Sequence, residues 1–450
     1  MKQPTSIFSC SNCDAQYQKW VGRCTQCGKW STVTQQANPS HTTTNKTNYP
    51  PLTTEPLKET KEKEARITTG IEEFDRILGG GIVSGEILVL GGEPGIGKST
   101  LVLQIAAALS QKEKVLYLSG EESNNQIADR ARRLQLKTSN ILMINDTRIE
   151  YVCSTIEHEK PKLAIIDSIN TVSSLESEGV SGSITQVKAC AAKLTEVAKK
   201  TGVPILLIAH VNKEGNVAGP KTLEHVVDAI FLLEGDRSGQ LRLLRALKNR
   251  FGAVSETGVF VMKESGLEEV TNPSALLLAE RSQQVPGTMV TTIMEGTRAL
   301  LLEVQSLVSR TNFGMPARKA SGVDGNRLQI ILAVLSRRLG LPFDSHDVFV
   351  NVSGGIKLHD RSSDLALAVS LISALQDKVI ANNIIAIGEI GLGGEVRSVP
   401  HLVTRIKEAE KMGFTYALIP HTTEKISSSM KIVPVKNLED LVHTLLKDKK

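Results

Sequence analysis

The chain has 450 residues, 40% of them hydrophobic and 22% charged. That is too long for one core and suggests two or three domains of an ordinary soluble globular protein. A net charge of +5 admits nucleic acid as a partner without requiring it. No run approaches about 18 apolar residues, and the stretch from Met1 to Phe8 lacks the apolar core of a signal peptide. The expectation is a cytoplasmic protein that neither spans nor binds a membrane.

Six cysteines are too few for a disulfide scaffold at this length. Four of them form two CxxC pairs, Cys10/Cys13 and Cys24/Cys27, with ten residues between the pairs. Each pair turns two thiolates toward one ion, and the two pairs together complete a tetrahedral Zn²⁺ site. The surrounding module, residues 1–33, has no core of its own, so the metal would supply its folding free energy, about 10 kcal/mol. Cys153 and Cys190 are left as small buried hydrophobes in a reducing compartment. Tyr17, Trp20 and Trp30, together with Lys19, Arg23 and Lys29, either meet nucleic acid or protein or cover the small core. At least one Trp is expected in the core role. Residues 34–65 are Thr-, Asn-, Gln-, Pro- and Lys/Glu-rich without periodicity and read as a flexible linker.

From 66 to 270 strands alternate with helices. Strands are expected at 86–90, 115–119, 141–144, 163–166, 205–209 and 229–233, and helices at 101–109 and 183–201. The alternation indicates an α/β domain with a mostly parallel sheet, helices on both faces and ligands at the carboxyl ends of the strands. The first strand runs into Gly92-Glu93-Pro94-Gly95-Ile96-Gly97-Lys98-Ser99-Thr100, a phosphate loop. Gly95 and Gly97 let backbone N–H groups turn inward around phosphate oxygens, and the following helix adds its N-terminal dipole. Lys98 would reach the β/γ-phosphates of ATP, and Ser99 would hold Mg²⁺.

Three further strands bring polar tips to the same edge. The strand 163–166 ends at Asp167, placed to hold the Mg²⁺ shell. The strand 115–119 leads to Glu121 and Glu122, one of which could polarise the attacking water. The strand 205–209 ends at His210, which could bond the γ-phosphate or the water. Polar, glycine-containing segments at 176–185 and 213–221 follow two of these strands. Lys188, Lys213 and Lys221 could track phosphates of a single strand there.

The phosphate loop, the SGEES strand end at 119–123, the His210 strand end and Lys248-Asn249-Arg250-Phe251-Gly252 occur in this order behind a Cys₄ module. In this the chain resembles the bacterial RadA (Sms) family of DNA-repair proteins over essentially its whole length. KNRFG is the signature that separates that family from RecA relatives. The resemblance implies a RecA-like ATPase core, similar also to DnaB-type ring helicases. It implies Glu121 as the catalytic glutamate, His210 as the γ-phosphate sensor, and Lys248 and Arg250 as cations acting on a neighbouring subunit's nucleotide. It further implies a ring-forming homo-oligomer, a hexamer by family, acting on single-stranded and branched DNA alongside a RecA-type recombinase. The segments 176–185 and 213–221 correspond to the DNA-binding loops of RecA-type proteins.

A turn-rich connector, 271–285, leads to a last domain, 286–450. Strands are expected there at 290–295, 301–307, 348–352 and 384–389, and helices at 326–339, 363–375 and 403–412. Asp324-Gly-Asn-Arg327, Asn351-Val-Ser-Gly-Gly355 and Ala417-Leu-Ile-Pro420 resemble the α+β Lon protease domain. Lon-type enzymes use a Ser nucleophile and a Lys base. The alignment puts Ser362 at the nucleophile and Arg405 at the base, and an arginine cannot accept the serine proton. Proteolysis is not expected of this domain. It is read instead as a scaffold, with Arg310, Arg318, Lys319 and Arg327 as candidate DNA contacts.

Overall fold

The computed structural model describes residues 6–13, 15–17, 19–37, 66–210, 220–235, 241–279, 281, 284–311 and 314–446. The chain divides into two compact units, Met1–Lys63 and Glu64–Lys450. Most of the expected linker and the segment containing Lys213 lie outside the described residues, as does the side chain of Lys221.

In the first unit the strand Ser6–Cys10 pairs antiparallel with both Gln16–Tyr17 and Val33–Ala37. Cys10, Cys24 and Val33 are buried, and Phe8, Ala15, Tyr17 and Val21 pack against them. Neither tryptophan belongs to this cluster. The expectation that at least one Trp covers the core is therefore overturned: thiols and Tyr17 fill the small interior, and the indoles stay outside.

The second unit opens with a nine-stranded sheet. Ile87–Gly92, Val115–Ser119, Ile141–Ile144, Leu163–Asp167, Ile205–His210 and Ala229–Glu234 are parallel. Their apolar runs are continuous because both faces are covered. Ile87 and Val89 pack in one core with the helices Ile149–Glu159 and Ile184–Thr201. Leu88 and Leu90 pack in the other with the helices Glu72–Ile77, Lys98–Ser110 and Asn124–Arg133. Helix starts follow their capping residues: Ser123 and Ser183 each accept an N–H from three residues ahead, Gln126 and Gln186.

Three strands of this sheet went unread in the sequence. Leu241–Asn249, Thr257–Lys263 and Gly266–Glu269 extend the sheet antiparallel beyond Ala229–Glu234. KNRFG thus begins within a strand. The added strands also pack on the phosphate loop. A Cβ at Gly97, where φ is +117°, would lie 2.5 Å from Met262 Cε, and the left-handed conformation itself favours glycine there.

The C-terminal sheet has seven strands in the order Arg318–Ser321, His346–Val352, Arg298–Arg310, Thr288–Glu295, Ile384–Ala386, Tyr416–Pro420, Lys431–Val435. Helices Gly325–Leu339 and Asp364–Gln376 cover one face, and Leu402–Lys411 packs on the other. The expected strand at 384–389 is two strands. At Gly388 the backbone leaves the sheet to donate to Ser362 O at 2.7 Å, and Glu389–Ile390 pairs instead with Val396–Arg397. The connector contains a short helix, Pro273–Leu278, capped by Asn272 and packed through Leu277 on Ile293, Leu300 and Leu302.

The hairpin turn at Gly296-Thr297 meets the ATPase-like sheet. Thr297 N donates to Ser255 O at 2.8 Å, Arg245 pairs with Glu295, and Arg298 lies 3.3 Å from Glu73. A Cβ on Gly296 would fall 1.6 Å from Ser255 O, so this close approach needs glycine. Among the described residues no helix is long and apolar enough to cross a membrane.

Candidate nucleotide and metal sites

Strand order brings the expected tips to one edge. Gly92 is level with His210 and Ser119 with Asp167. Lys98 opens the loop's helix and is 4% exposed, its Nζ donating to Gly92 O at 2.9 Å and Glu93 O at 3.0 Å. Burial lowers the Lys98 pKa, and the Asp167 and Glu121 carboxylates oppose that shift. Asp167 is buried, which raises its pKa, while hydrogen bonds from Ser99 and Tyr117 hold its charged form. The Tyr117 hydroxyl donates to Asp167 Oδ2 at 2.9 Å. A hydroxyl beside a buried carboxylate under a phosphate loop is a donor set that fits Mg²⁺, with Ser99 and Asp167 holding it. Gly92 to Thr100 would hold the phosphates of ATP, and the metal would neutralise charge on them.

The two carboxylates after the second strand part company. Glu122 pairs with Arg130 and is turned away. Glu121 faces inward: its Oε1 accepts from Ser168 Oγ at 2.8 Å and lies 3.0 Å from His210 Nε2. His210 Nδ1 is buried without a hydrogen-bond partner among the described residues. Glu121 is thus oriented from two sides close to Asp167, which would hold Mg²⁺, an arrangement suited to a water-polarising carboxylate.

Lys248 and Arg250 are not brought to this edge. Lys248 Nζ donates to Glu224 O at 2.5 Å and Val227 O at 2.7 Å, carbonyls that precede the strand Ala229–Glu234. That strand runs parallel to Ile87–Gly92. Lys248 therefore points to the amino edge of the sheet and the phosphate loop leaves its carboxyl edge, with roughly 15 Å of strand between them. Arg250 Nη1 lies 3.1 Å from Asp228 Oδ1 on an otherwise exposed side chain. Asn249, between them, is buried and structural: it donates to Ile77 O at 3.1 Å and accepts Phe251 N–H at 2.9 Å.

Sequence reading missed Tyr117, Ser168, Asp228 and Gln186. Ser168 was findable as the neighbour of Asp167, and Asp228 as the acidic residue before a strand. Gln186 orders the segment after Asp167, donating to Ser174, Ser177 and Gly179 carbonyls. Lys188 is exposed on the helix that follows. In the C-terminal domain Arg310 ends an interior strand opposite His346, while Arg318 and Lys319 lie on the edge strand at consecutive positions that face opposite sides of the sheet. Arg327 is elsewhere, committed to Asp364 and to Ile390 O.

Ser362 and Arg405, far apart in sequence, do meet. Arg405 is 1% exposed, and its Nη1 donates to Ser362 Oγ at 2.8 Å and to Thr292 O at 2.8 Å. Its Nη2 pairs with Asp360. Ser362 Oγ itself donates to Thr292 O at 2.9 Å.

At the N-terminal module the ligand atoms of Cys10, Cys13, Cys24 and Cys27 all lie within 4.8 Å of one another. The Cys10–Cys27 and Cys13–Cys24 sulfurs are 3.7 and 3.4 Å apart. A tetrahedron with Zn–S near 2.3 Å has S···S edges of about 3.8 Å, so the four thiols fit Zn²⁺. Tyr17 OH, 3.1 Å from Cys24 Sγ, supports the cluster from outside.

A family profile described as AAA domain matches residues 53–216, one described as subunit ChlI of Mg-chelatase matches 311–423, and one described as rubredoxin metal binding domain matches 8–35. A KaiC-like protein of known structure from Pyrococcus horikoshii aligns with 46% of this chain and 100% of its own, at TM-score 0.40 and 18% identity. DNA repair protein RadA of Escherichia coli is 44% identical over 98% of both chains. Its Bacillus subtilis counterpart is 43% identical over 93% of both. The Aquifex aeolicus protein is 40% identical over 99% of this chain and 100% of its own. On that similarity, sustained through zinc module, RecA-like core and Lon-like domain, the chain belongs to the DNA repair protein RadA family.

Proposed function

We propose that this protein is a DNA-dependent ATPase of recombinational repair that assembles as a ring, hexameric by family, and moves along single-stranded DNA to unwind or extend branched intermediates. Lys98, Ser99 and Asp167 hold Mg-ATP, Glu121 polarises the water, and His210, in contact with Glu121, senses the γ-phosphate. The observation that carries the reading is the separation of Lys248 and Arg250 from their own phosphate loop. Cations at the amino edge of the sheet serve a nucleotide only if a second subunit brings its carboxyl edge to them. Hydrolysis is then coupled to assembly, as when an arginine finger is supplied in trans.

The Lon-like domain is a scaffold without peptidase activity in this reading, and Arg310, Arg318 and Lys319 are its DNA contacts. A RecA-type recombinase is the expected partner on branched substrates. The test is unwinding of forked DNA by the zinc-loaded protein with Mg-ATP. Strand separation that requires hydrolysis supports the reading. DNA binding with ATP-dependent affinity but no separation would make the protein a mediator that switches state without unwinding.

A further inference from the structure

The two tryptophans of this chain, Trp20 and Trp30, are both in the zinc module and both at its surface, 62% and 70% exposed. Neither serves the core, which thiols, Val33 and Tyr17 fill. They border one spot. A Cβ on Gly22 would lie 3.4 Å from Trp20 Cη2 and 3.9 Å from Trp30 Cζ3, so a glycine between the indoles leaves both rings open. Each is held in place. Trp20 Nε1 donates to Val33 O at 3.0 Å, and Trp30 pairs with Arg23, whose guanidinium stands 5.8 Å from the ring centroid. Arg23 Nε in turn donates to Gly28 O at 2.8 Å.

The charged residues among the described positions of the module are Lys19, Arg23 and Lys29, all cationic, and the first 37 positions of the sequence hold four cations and one acid. The excess negative charge of four thiolates on Zn²⁺ would sit at the centre of the module, with the cations outside it. Fixed, exposed indoles among cations are the components of a surface that stacks bases and tracks phosphates without reading sequence. A protein-docking patch would need apolar area continuous with the rings, and the rings are flanked instead by Lys19, Arg23 and Lys29.

We propose that the Trp20–Trp30 face of the zinc module is a single-stranded DNA stacking platform, separate from any DNA path through the ATPase core. The metal fixes the two knuckles and with them the spacing of the rings. The proposal rests on the DNA-dependent reading above.

Because the chain holds no other tryptophan, the intrinsic indole emission of the full-length, zinc-loaded protein reports this face alone. It is excited at the red edge, where tyrosine does not absorb, while oligothymidylate is added. The expected result is saturable quenching that a base-free deoxyribose-phosphate chain of equal length does not produce. Trp30→Ala should weaken binding about tenfold, as for one lost stacked base, and Trp30→Phe should restore most of it. ATP hydrolysis without DNA should be unchanged in both variants. Labelled oligothymidylate is followed in parallel by anisotropy. If anisotropy reports binding while indole emission stays unmoved at saturation, DNA binds elsewhere and the platform is refuted, leaving the face to a protein partner. Quenching by the base-free chain to the same extent would refute stacking as well. If anisotropy reports no binding, the DNA-dependent reading itself falls.

Discussion

Arg405 Nη1 stands 2.8 Å from Ser362 Oγ, the two residues that the Lon resemblance aligns with base and nucleophile. The pair is present and the chemistry is not. A guanidinium stays protonated, so it donates to the serine and cannot take its proton. Ser362 is fully buried and spends its own proton on Thr292 O. The contact has become structural, tying the helix Leu402–Lys411 to the strand Thr288–Glu295 and to Asp360.

Arg405→Ala should accordingly destabilise the C-terminal domain by about 3–5 kcal/mol, since Asp360 loses its buried partner and Thr292 O a donor. Ser362→Ala, removing one neutral hydroxyl, should cost about 1 kcal/mol. Denaturant titration of each variant measures the difference. Wild-type protein should cleave no unfolded protein substrate with ATP present, and a fluorophosphonate probe should leave Ser362 unlabelled. Stoichiometric labelling of that serine would overturn the scaffold assignment.

Glu86 supplies a pH dependence. It is 2% exposed just before the strand Ile87–Gly92, and Val83 N–H donates to its Oε2 at 2.9 Å. Burial, with Asp228 adding, lifts its carboxyl from 4.5 to about 7 against the pull of Val83 N–H and Arg66. The native state therefore keeps a proton that the unfolded chain releases near 4.5. The stability tied to Glu86 is complete below that pH and is lost as pH rises through about 7. Glu86→Gln keeps an acceptor for Val83 and never ionises. Relative to wild type it should gain up to about 3 kcal/mol at high pH and nothing near pH 4.5. Thermal unfolding of both proteins across the pH range checks this. A gain that is the same at every pH would show that the carboxyl is not the cause.

What was legible in the sequence follows a physical divide. Val115–Ser119 and Leu163–Asp167 were readable because strands buried on both faces are uniformly apolar and short. The phosphate loop was readable because its glycine spacing is dictated by the ligand. The strand Leu241–Asn249 was not. It mixes Arg242, Arg245 and Lys248 with aliphatic residues, and the Arg245 charge finds partners, Glu234 and Glu295, that only the fold brings near. Cys₄ spacing announced the metal, but nothing in the module's sequence shows which aromatics enter a core that small. The resemblance singles out Glu121, but the local sequence does not separate it from Glu122; in the fold Arg130 pairs with Glu122, while Ser168 and His210 contact Glu121.

Cys13→Ser should abolish stoichiometric zinc binding and unfold only the N-terminal module. That module's strands and the Glu64–Lys450 unit are compact separately, and the buried cluster of the former consists mostly of its metal-binding thiols. Circular dichroism should lose little signal, and basal ATP hydrolysis should persist. Metal analysis of the wild type provides the complementary check: absence of zinc from protein purified without chelators would end the Cys₄ assignment.

The shared-site mechanism makes the sharpest demand. Lys248→Ala and Arg250→Ala should each retain nucleotide binding, because neither side chain reaches its own phosphate loop, yet lose most hydrolysis. A finger in trans contributes on the order of 10³–10⁵ in rate. Both variants should fold, since Lys248 loses only bonds to Glu224 O and Val227 O, and the buried Asp228, on losing Arg250, keeps the Ile87 N–H donor to its carboxylate. Lys98→Ala should fail for the opposite reason, with a defective loop but intact Lys248 and Arg250. Mixing it with either cation variant therefore creates some interfaces in which a working loop meets working cations. Activity should partly return and peak at intermediate ratios. If mixed assemblies form, as followed by subunit exchange of labelled protein, and no ratio restores hydrolysis, Lys248 and Arg250 act within their own chain. The separation across the sheet would then be structural, and the argument for a ring would lose its support.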